Sequence, residues 1–147
     1  MIKVTSSAFS SEGMIPEIYT CDGEDISPPL NIGSVPDEAE GLVLMVDDPD
    51  ALMETWNHWL VWNIAPDTEE ILEGSVPEDG IEGITSFDGS GYGGPCPPSG
   101  THRYFFKVYA LDTKLDLPKS AKKENVELAI LGHALDEGEL MGKYGRA

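Results

Sequence analysis

Three stretches of the chain are apolar at odd and even positions alike. They are residues 42–47, 58–64 and 104–111, all rich in β-branched and aromatic side chains. A strand with one wet face alternates; these do not, apart from Asn63 and Lys107. They are therefore predicted to be central strands, covered on at least part of both faces. Pro66 ends the second. From there to Gly100 the pattern breaks up: residues 69–82 are acidic and expected to be solvated. Residues 89–100 are too rich in glycine and proline for a helix or an inner strand. A long loop in a compact domain is either functional or mobile. Its prolines and the aromatic anchor Tyr92 favour function. Only the C-terminal quarter has helical spacing. Val126, Ala129, Ile130 and Leu131 form its apolar stripe, and Lys122, Lys123, Glu124 and Glu127 face out. Ser120 is the expected N-cap and Gly132 the stop. Residues 139–145 are predicted to return as a short strand.

Composition sharpens this picture. The 147 residues, 40% of them hydrophobic, fit one domain spanning 1–147. Scattered glycine (16) and proline (11) favour many short elements joined by turns, an all-β signal. Asp and Glu number 27 against 9 Lys and Arg, a net charge of −18. Such a surface repels nucleic acid and anionic membranes. It fits an ordinary acidic protein, or a cytosol of very high salt in which repulsion is screened. No leader-like or membrane-length apolar run is visible, so a cytoplasmic location without stable membrane insertion is expected. Cys21 and Cys96 match no zinc or Cys-x-x-Cys pattern, and in the cytosol free thiols are expected. Both lie in loop-like surroundings, where they could meet.

Two polar clusters abut the predicted strands. The first is Asp47-Asp48-Pro49-Asp50 followed by Trp56-Asn57-His58-Trp59. Pro49 favours an extended Asp48. If Asp50 continues that strand, the Asp48 and Asp50 carboxylates share a side. The second runs from Pro97 to Tyr104, a Gly/Pro loop entering a strand with His102 at the junction. Binding groups on a rigid scaffold commonly sit at such places. Taken singly, Asp-Pro-Asp is a turn and a histidine beside tryptophan is a core residue. Their combination is the informative feature. His133 follows the predicted helix end, where it is expected to bond the last carbonyls and to carry no chemistry.

Three segments resemble the bacterial and archaeal branch of the phosphatidylethanolamine-binding protein family, whose members are often called Raf-kinase-inhibitor-like. They are residues 15–30 (Ile-Pro-Glu-Ile-Tyr-Thr-Cys-Asp-Gly, then Ser-Pro-Pro-Leu), 47–64, and 91–112 with Gly-Tyr-Gly-Gly-Pro-Cys-Pro-Pro-Ser-Gly-Thr-His-Arg-Tyr. The tail from Gly132-His133 to Arg146 also fits. The resemblance implies a two-sheet antiparallel Greek-key β-sandwich with short C-terminal helical structure. It implies a small anion pocket built from Asp48, Asp50, His58, Pro97, Pro98, His102 and Tyr104. Two departures stand out: Leu52 replaces a usual proline, and Gly83-Ile84-Thr85-Ser86 lacks the usual Asn-Asp pair.

These readings give a binding protein for phosphate or a phosphate-ester headgroup, with a regulatory or inhibitory role toward kinases or proteases and no cofactor. Homodimers recur among such relatives, so a homodimer is expected. An Asp could hold a histidine in one tautomer and favour its imidazolium, which then faces the anion. The competing class is a hydrolase or metal-dependent enzyme using the same Asp and His groups. Ser99 and Thr101 lack a nucleophile-elbow motif, and Cys96 is the better nucleophile candidate.

Overall fold

The computed structural model describes residues 1–146. Among the described residues eight strands form two antiparallel sheets. The small sheet joins β1 (Lys3–Thr5), β2 (Leu30–Gly33) and β5 (Glu70–Ile71), in the order β1-β2-β5. The large sheet runs β6-β4-β3-β7-β8, from β6 (Ile81–Glu82) through β4 (Trp56–Ile64), β3 (Gly41–Asp48) and β7 (Gly100–Leu111) to β8 (Ala134–Arg146). A three-residue 3₁₀ turn covers Glu17–Tyr19, and α1 spans Lys123–Ile130.

Both faces of the large sheet are covered, as the doubly apolar strands require. Leu42, Leu44, Val46, Val61, Phe106 and Val108 pack with Ile2, Val4, Leu30, Ile32 and Ile71 of the small-sheet side. Val43, Met45, Leu60 and Trp62 point the opposite way, onto Leu115, Ala121 and Val126. The two polar exceptions have partners. Asn63 exchanges hydrogen bonds with the backbone of Leu115 (2.9 and 2.8 Å). Lys107 lies 3.5 Å from the buried carboxylate of Asp47, which Lys123 also approaches, at 3.1 Å.

Several expectations need correction. Cys21 and Cys96 are not free thiols: they form a disulfide with their Cα atoms 5.5 Å apart. The expectation rested on compartment, whereas spatial proximity of two loops decides pairing. Ser120 is not the helix cap. Lys122 is, and the Asn125 side-chain oxygen accepts its N–H at 2.9 Å. Leu131 leaves the apolar stripe and is 70% exposed, because its backbone (φ −58°, ψ 126°) has left the helix. Gly132, with φ of 79°, does end the helix in the left-handed conformation glycine favours. The His133 backbone caps the Ile130 carbonyl, but its ring pairs with Asp112 at 2.8 Å. The tail is a thirteen-residue strand rather than a short one, paired along the length of β7. The acidic middle loop is only partly solvated. Ile71 is buried, and Glu82 accepts a 2.8 Å bond from the Trp59 indole.

Val126 anchors α1 to the sheet and is fully buried. Val126→Ala is expected to cost about 2 kcal/mol in urea unfolding, against less than about 0.5 for Leu128→Ala on the exposed face.

A candidate anion-binding cavity at one end of the large sheet

Strand order brings the polar clusters together. In an antiparallel sheet the end of β3 lies beside the starts of β4 and β7, and Asp48 pairs with Trp56 while Asp47 pairs with Phe105. Period-two geometry puts Asp48 on the face of Leu44 and Val46. On β7 it puts His102 and Tyr104 on the face of Phe106, the same side of the sheet. His58 should not join them. By simple alternation it shares a face with Leu60 and Trp62.

A β-bulge changes its side. Val46 pairs with Trp59 but Asp47 pairs with Asn57, leaving His58 as the extra residue. One inserted residue reverses which face the following side chains take. His58 thereby moves to the side of Asp48, His102 and Tyr104. Asn57 moves to the other, where its amide donates to Asp47 at 3.0 Å. His58 is then fixed twice by one glycine. Its carbonyl accepts from Gly93 N at 2.9 Å, and its Nδ1 donates to the Gly93 carbonyl at 2.7 Å.

The Gly/Pro loop closes the site from above. Tyr92 donates to the Tyr19 carbonyl (2.7 Å), Gly94 N to Asp25 (2.7 Å), and Cys21 N to the Pro95 carbonyl (3.2 Å). The Cys21–Cys96 bond completes the attachment. Gly94 allows this approach. A Cβ there would lie 2.4 Å from both Asp25 Oδ1 and the Tyr19 carbonyl oxygen.

The result is a cavity of about 380 Å³ lined by Asp48, His58, His102, Tyr104, Pro97 and Pro98. Leu52, the departure from the family proline expected at the rim, lines it as well, and so do Ala51, Trp56, Phe87 and Cys96, whose part in it sequence reasoning missed. The apolar run beside His58 was the one hint of an aromatic wall. Phe87 and Tyr104 stand edge-on to the His58 ring, each with its centroid 5.2 Å away. A larger groove, about 760 Å³, lies near the opposite ends of β3 and β4. Carboxylates such as Asp37, Asp67 and Glu69 line it, together with the buried, unpartnered Thr68 hydroxyl, and none of its described lining residues is a histidine.

Asp48 has both oxygens engaged. Oδ2 accepts from His102 Nδ1 at 2.7 Å, and Oδ1 accepts from Asp50 N at 2.8 Å. That second bond turns the chain, so Asp50 does not continue the strand and does not line the cavity. Its carboxylate instead takes three 2.9 Å bonds from Arg103: the backbone N–H, Nε and Nη2. The Arg103 guanidinium holds its pKa down to about 2. Asp50 therefore staples the loop after β3 to the start of β7.

Burial pushes the His58 pKa below its usual 6.5, against the opposing pull of the Gly93 carbonyl and the charges of Asp48 and Asp47. Of the two opposing effects, burial outweighs the carboxylates and favours the neutral imidazole of His58. With Nδ1 spent on Gly93, its Nε2 carries a lone pair. The sign for stability follows: the unfolded chain binds the proton more readily. The His58 contribution is complete above about pH 6.5 and is lost as pH falls through its lowered value. Urea unfolding across that range should show the slope, and His58→Gln should flatten it.

Tyr104 is 1% exposed and, among the described residues, its hydroxyl has no partner within hydrogen-bond distance and geometry. Burial, then the nearby Asp48 charge, raises its pKa far above 10, so it stays a neutral donor. Ser99 and Thr101 are exposed and outside the lining, and the Cys96 sulfur is held in the disulfide. Among the described residues no group of three or more His, Cys, Asp or Glu side chains could hold a metal ion. No helix of the described residues is long and apolar enough to cross a membrane.

Known proteins share this sequence and shape. A UPF0098 protein of Methanothermobacter thermautotrophicus is 49% identical over 150 residues, covering 99% of each chain. One from Pyrococcus abyssi is 47% identical, over 99% of this chain and 86% of its own. A crystal structure from Chlamydia trachomatis, described as that of a phosphatidylethanolamine-binding protein homologue, CT736, superposes with a TM-score of 0.95. Its identity is 40%, over 99% of this chain and 98% of that one. Escherichia coli YbcL, described as a new member of the mammalian family, gives 0.92 at 26% identity, over 99% of both chains. The sequence profile described as phosphatidylethanolamine-binding protein matches residues 5–145. The chain therefore belongs to the phosphatidylethanolamine-binding protein family.

Proposed function

We propose that the cavity binds a small anion, a phosphate or the phosphate ester of a headgroup. The observation that carries this reading is the buried Tyr104 hydroxyl, left without a partner beside two histidines whose Nδ1 atoms are already engaged. A buried hydroxyl without a partner costs about 1–3 kcal/mol. A ligand oxygen removes that penalty. His102 presents Nε2 because Asp48 holds Nδ1. Asp48 repels an anion less than a bare carboxylate would, since both its oxygens accept hydrogen bonds. The aromatic and proline walls exclude water and strengthen each polar contact.

His58 sets the pH behaviour. Its Nε2 donates to an anion only after taking up a proton, so binding and protonation are linked. Between the pKa of the free protein and the higher value in the complex, affinity falls as pH rises, by at most about tenfold per unit. Sulfate is the clean probe, because it does not titrate in this range. Calorimetry in buffers of different ionisation heat should show protons taken up with the sulfate, and His58→Gln should reduce that uptake. Proton uptake unchanged in His58→Gln would refute the role given to His58.

A regulatory role, inhibition of a kinase or protease through a phosphorylated group on the partner, extends this reading and rests on family membership. We place the protein in the cytoplasm, as a homodimer. Sedimentation showing only monomer at low and high salt would remove the dimer without touching the cavity.

A further inference from the structure

The cavity wall is closed by a bond that chemistry can open. Cys96 is exposed, precedes the wall residues Pro97 and Pro98, and itself lines the cavity. Cys21 is half-buried, and Arg146 Nη2 lies 3.3 Å from its sulfur. The same guanidinium pairs with Asp22, whose carboxylate also accepts from the Tyr144 hydroxyl at 2.6 Å. The two sulfurs therefore differ. One is open to attack, and the other has a cation beside it.

We infer that Cys21–Cys96 is a thiol-exchange site, at which a dithiol reductant attacks Cys96 and releases the Pro97–Pro98 wall of the cavity. A thiolate of the dithiol forms a bond to Cys96 Sγ while the Cys21–Cys96 bond breaks. The electron pair leaves on Cys21 Sγ as a thiolate, next to the Arg146 guanidinium, and departure is faster when the leaving thiolate is stabilised. The second thiol then attacks the mixed disulfide. It frees Cys96 as a thiolate and leaves the reductant as a disulfide. Two electrons pass to the protein, and the two protons given up by the dithiol balance the two new protein thiols.

Besides the disulfide, two hydrogen bonds among the described residues tie Gly94–Pro98 to the facing segment: Gly94 N to Asp25, and Cys21 N to the Pro95 carbonyl. The hydrophobic core contains neither cysteine, so the sheets survive reduction. The consequence for ligand affinity rests on the anion-binding reading above. The exchange site itself does not.

Glutathione, acid quenching, alkylation and peptide mapping test the direction of attack. The expected adduct is on Cys96 with Cys21 alkylated, in at least about fivefold excess. Arg146→Gln should slow reduction by dithiothreitol about tenfold, the loss expected for one charge-assisted hydrogen bond. Hydrogen exchange on the reduced protein should speed up more than about tenfold at the Cys21 and Gly94 amides and stay unchanged in β3 and β7. A Cys21→Ser/Cys96→Ser double variant should reproduce that pattern without reductant. An adduct mainly on Cys21, resistance to dithiothreitol, or unchanged exchange would overturn the inference. None of these readouts involves an anion. Sulfate affinity, compared in the oxidised and reduced forms, should fall at least tenfold. An oxidised protein that binds no sulfate, yet shows the exchange pattern, would sink the anion reading alone.

Discussion

His102→Ala is expected to weaken sulfate or phosphate-ester binding roughly ten- to hundredfold. A charge-assisted donor to a partly enclosed anion contributes roughly 1.5–3 kcal/mol, and a tenfold change corresponds to about 1.4. The orientation of His102 is set by a buried carboxylate that holds its Nδ1 at 2.7 Å. The substitution also leaves Asp48, 3% exposed, without that partner. An uncompensated carboxylate then faces the ligand position, adding repulsion to the lost donor. Ser99→Ala is the control. Ser99 is exposed and outside the cavity lining, so affinity should stay within about twofold. Isothermal titration of the three proteins decides the matter. Equal affinities would make His102 a purely structural residue.

Gly94→Ala is expected to destabilise the fold by about 3 kcal/mol and to abolish measurable anion binding. The new methyl would meet two oxygens at 2.4 Å and the Thr20 Cα at 2.9 Å, so backbone must move. Overpacking of this kind costs about 1–3 kcal/mol, and losing the Gly94 N–H bond to Asp25 adds about 1 more. The displaced segment is the one that carries Pro97 and Pro98 into the cavity. Gly89→Ala provides the contrast, since a Cβ there meets nothing within 4 Å. Its urea midpoint should lie close to that of the parent protein. A Gly94→Ala midpoint equal to that of Gly89→Ala would show that the loop tolerates displacement.

The parts of this structure legible in the sequence are those governed by periodicity. The doubly apolar runs became β3, β4 and β7, and the helical spacing around Val126 became α1. The association of Asp48, His58 and His102 was implied by the family resemblance, and the gathering of strand ends in an antiparallel sheet explains why their segments meet. What escaped was set by single-residue geometry. The bulge that moves His58 across the sheet leaves no mark in hydrophobic pattern, since every neighbour is buried on either face. Asp50 turned away because the Asp48 side chain competes with strand continuation by bonding its N–H. Arg103 then supplied a partner that sequence order could not choose. Trp56 and Phe87 line the cavity from positions thirty-one residues apart, and the cysteines met across seventy-five. Loop-to-loop contacts of that separation depend on the tertiary fold alone.

The role of the cavity is tested most directly by the crystal structure of the protein grown or soaked in sulfate, then in phosphorylethanolamine. The account predicts one anion in the cavity, with its oxygens within hydrogen-bond distance of His102 Nε2, His58 Nε2 and the Tyr104 hydroxyl, and with Asp50 untouched. An empty cavity at saturating anion, or an anion bound only elsewhere on the surface, would contradict it.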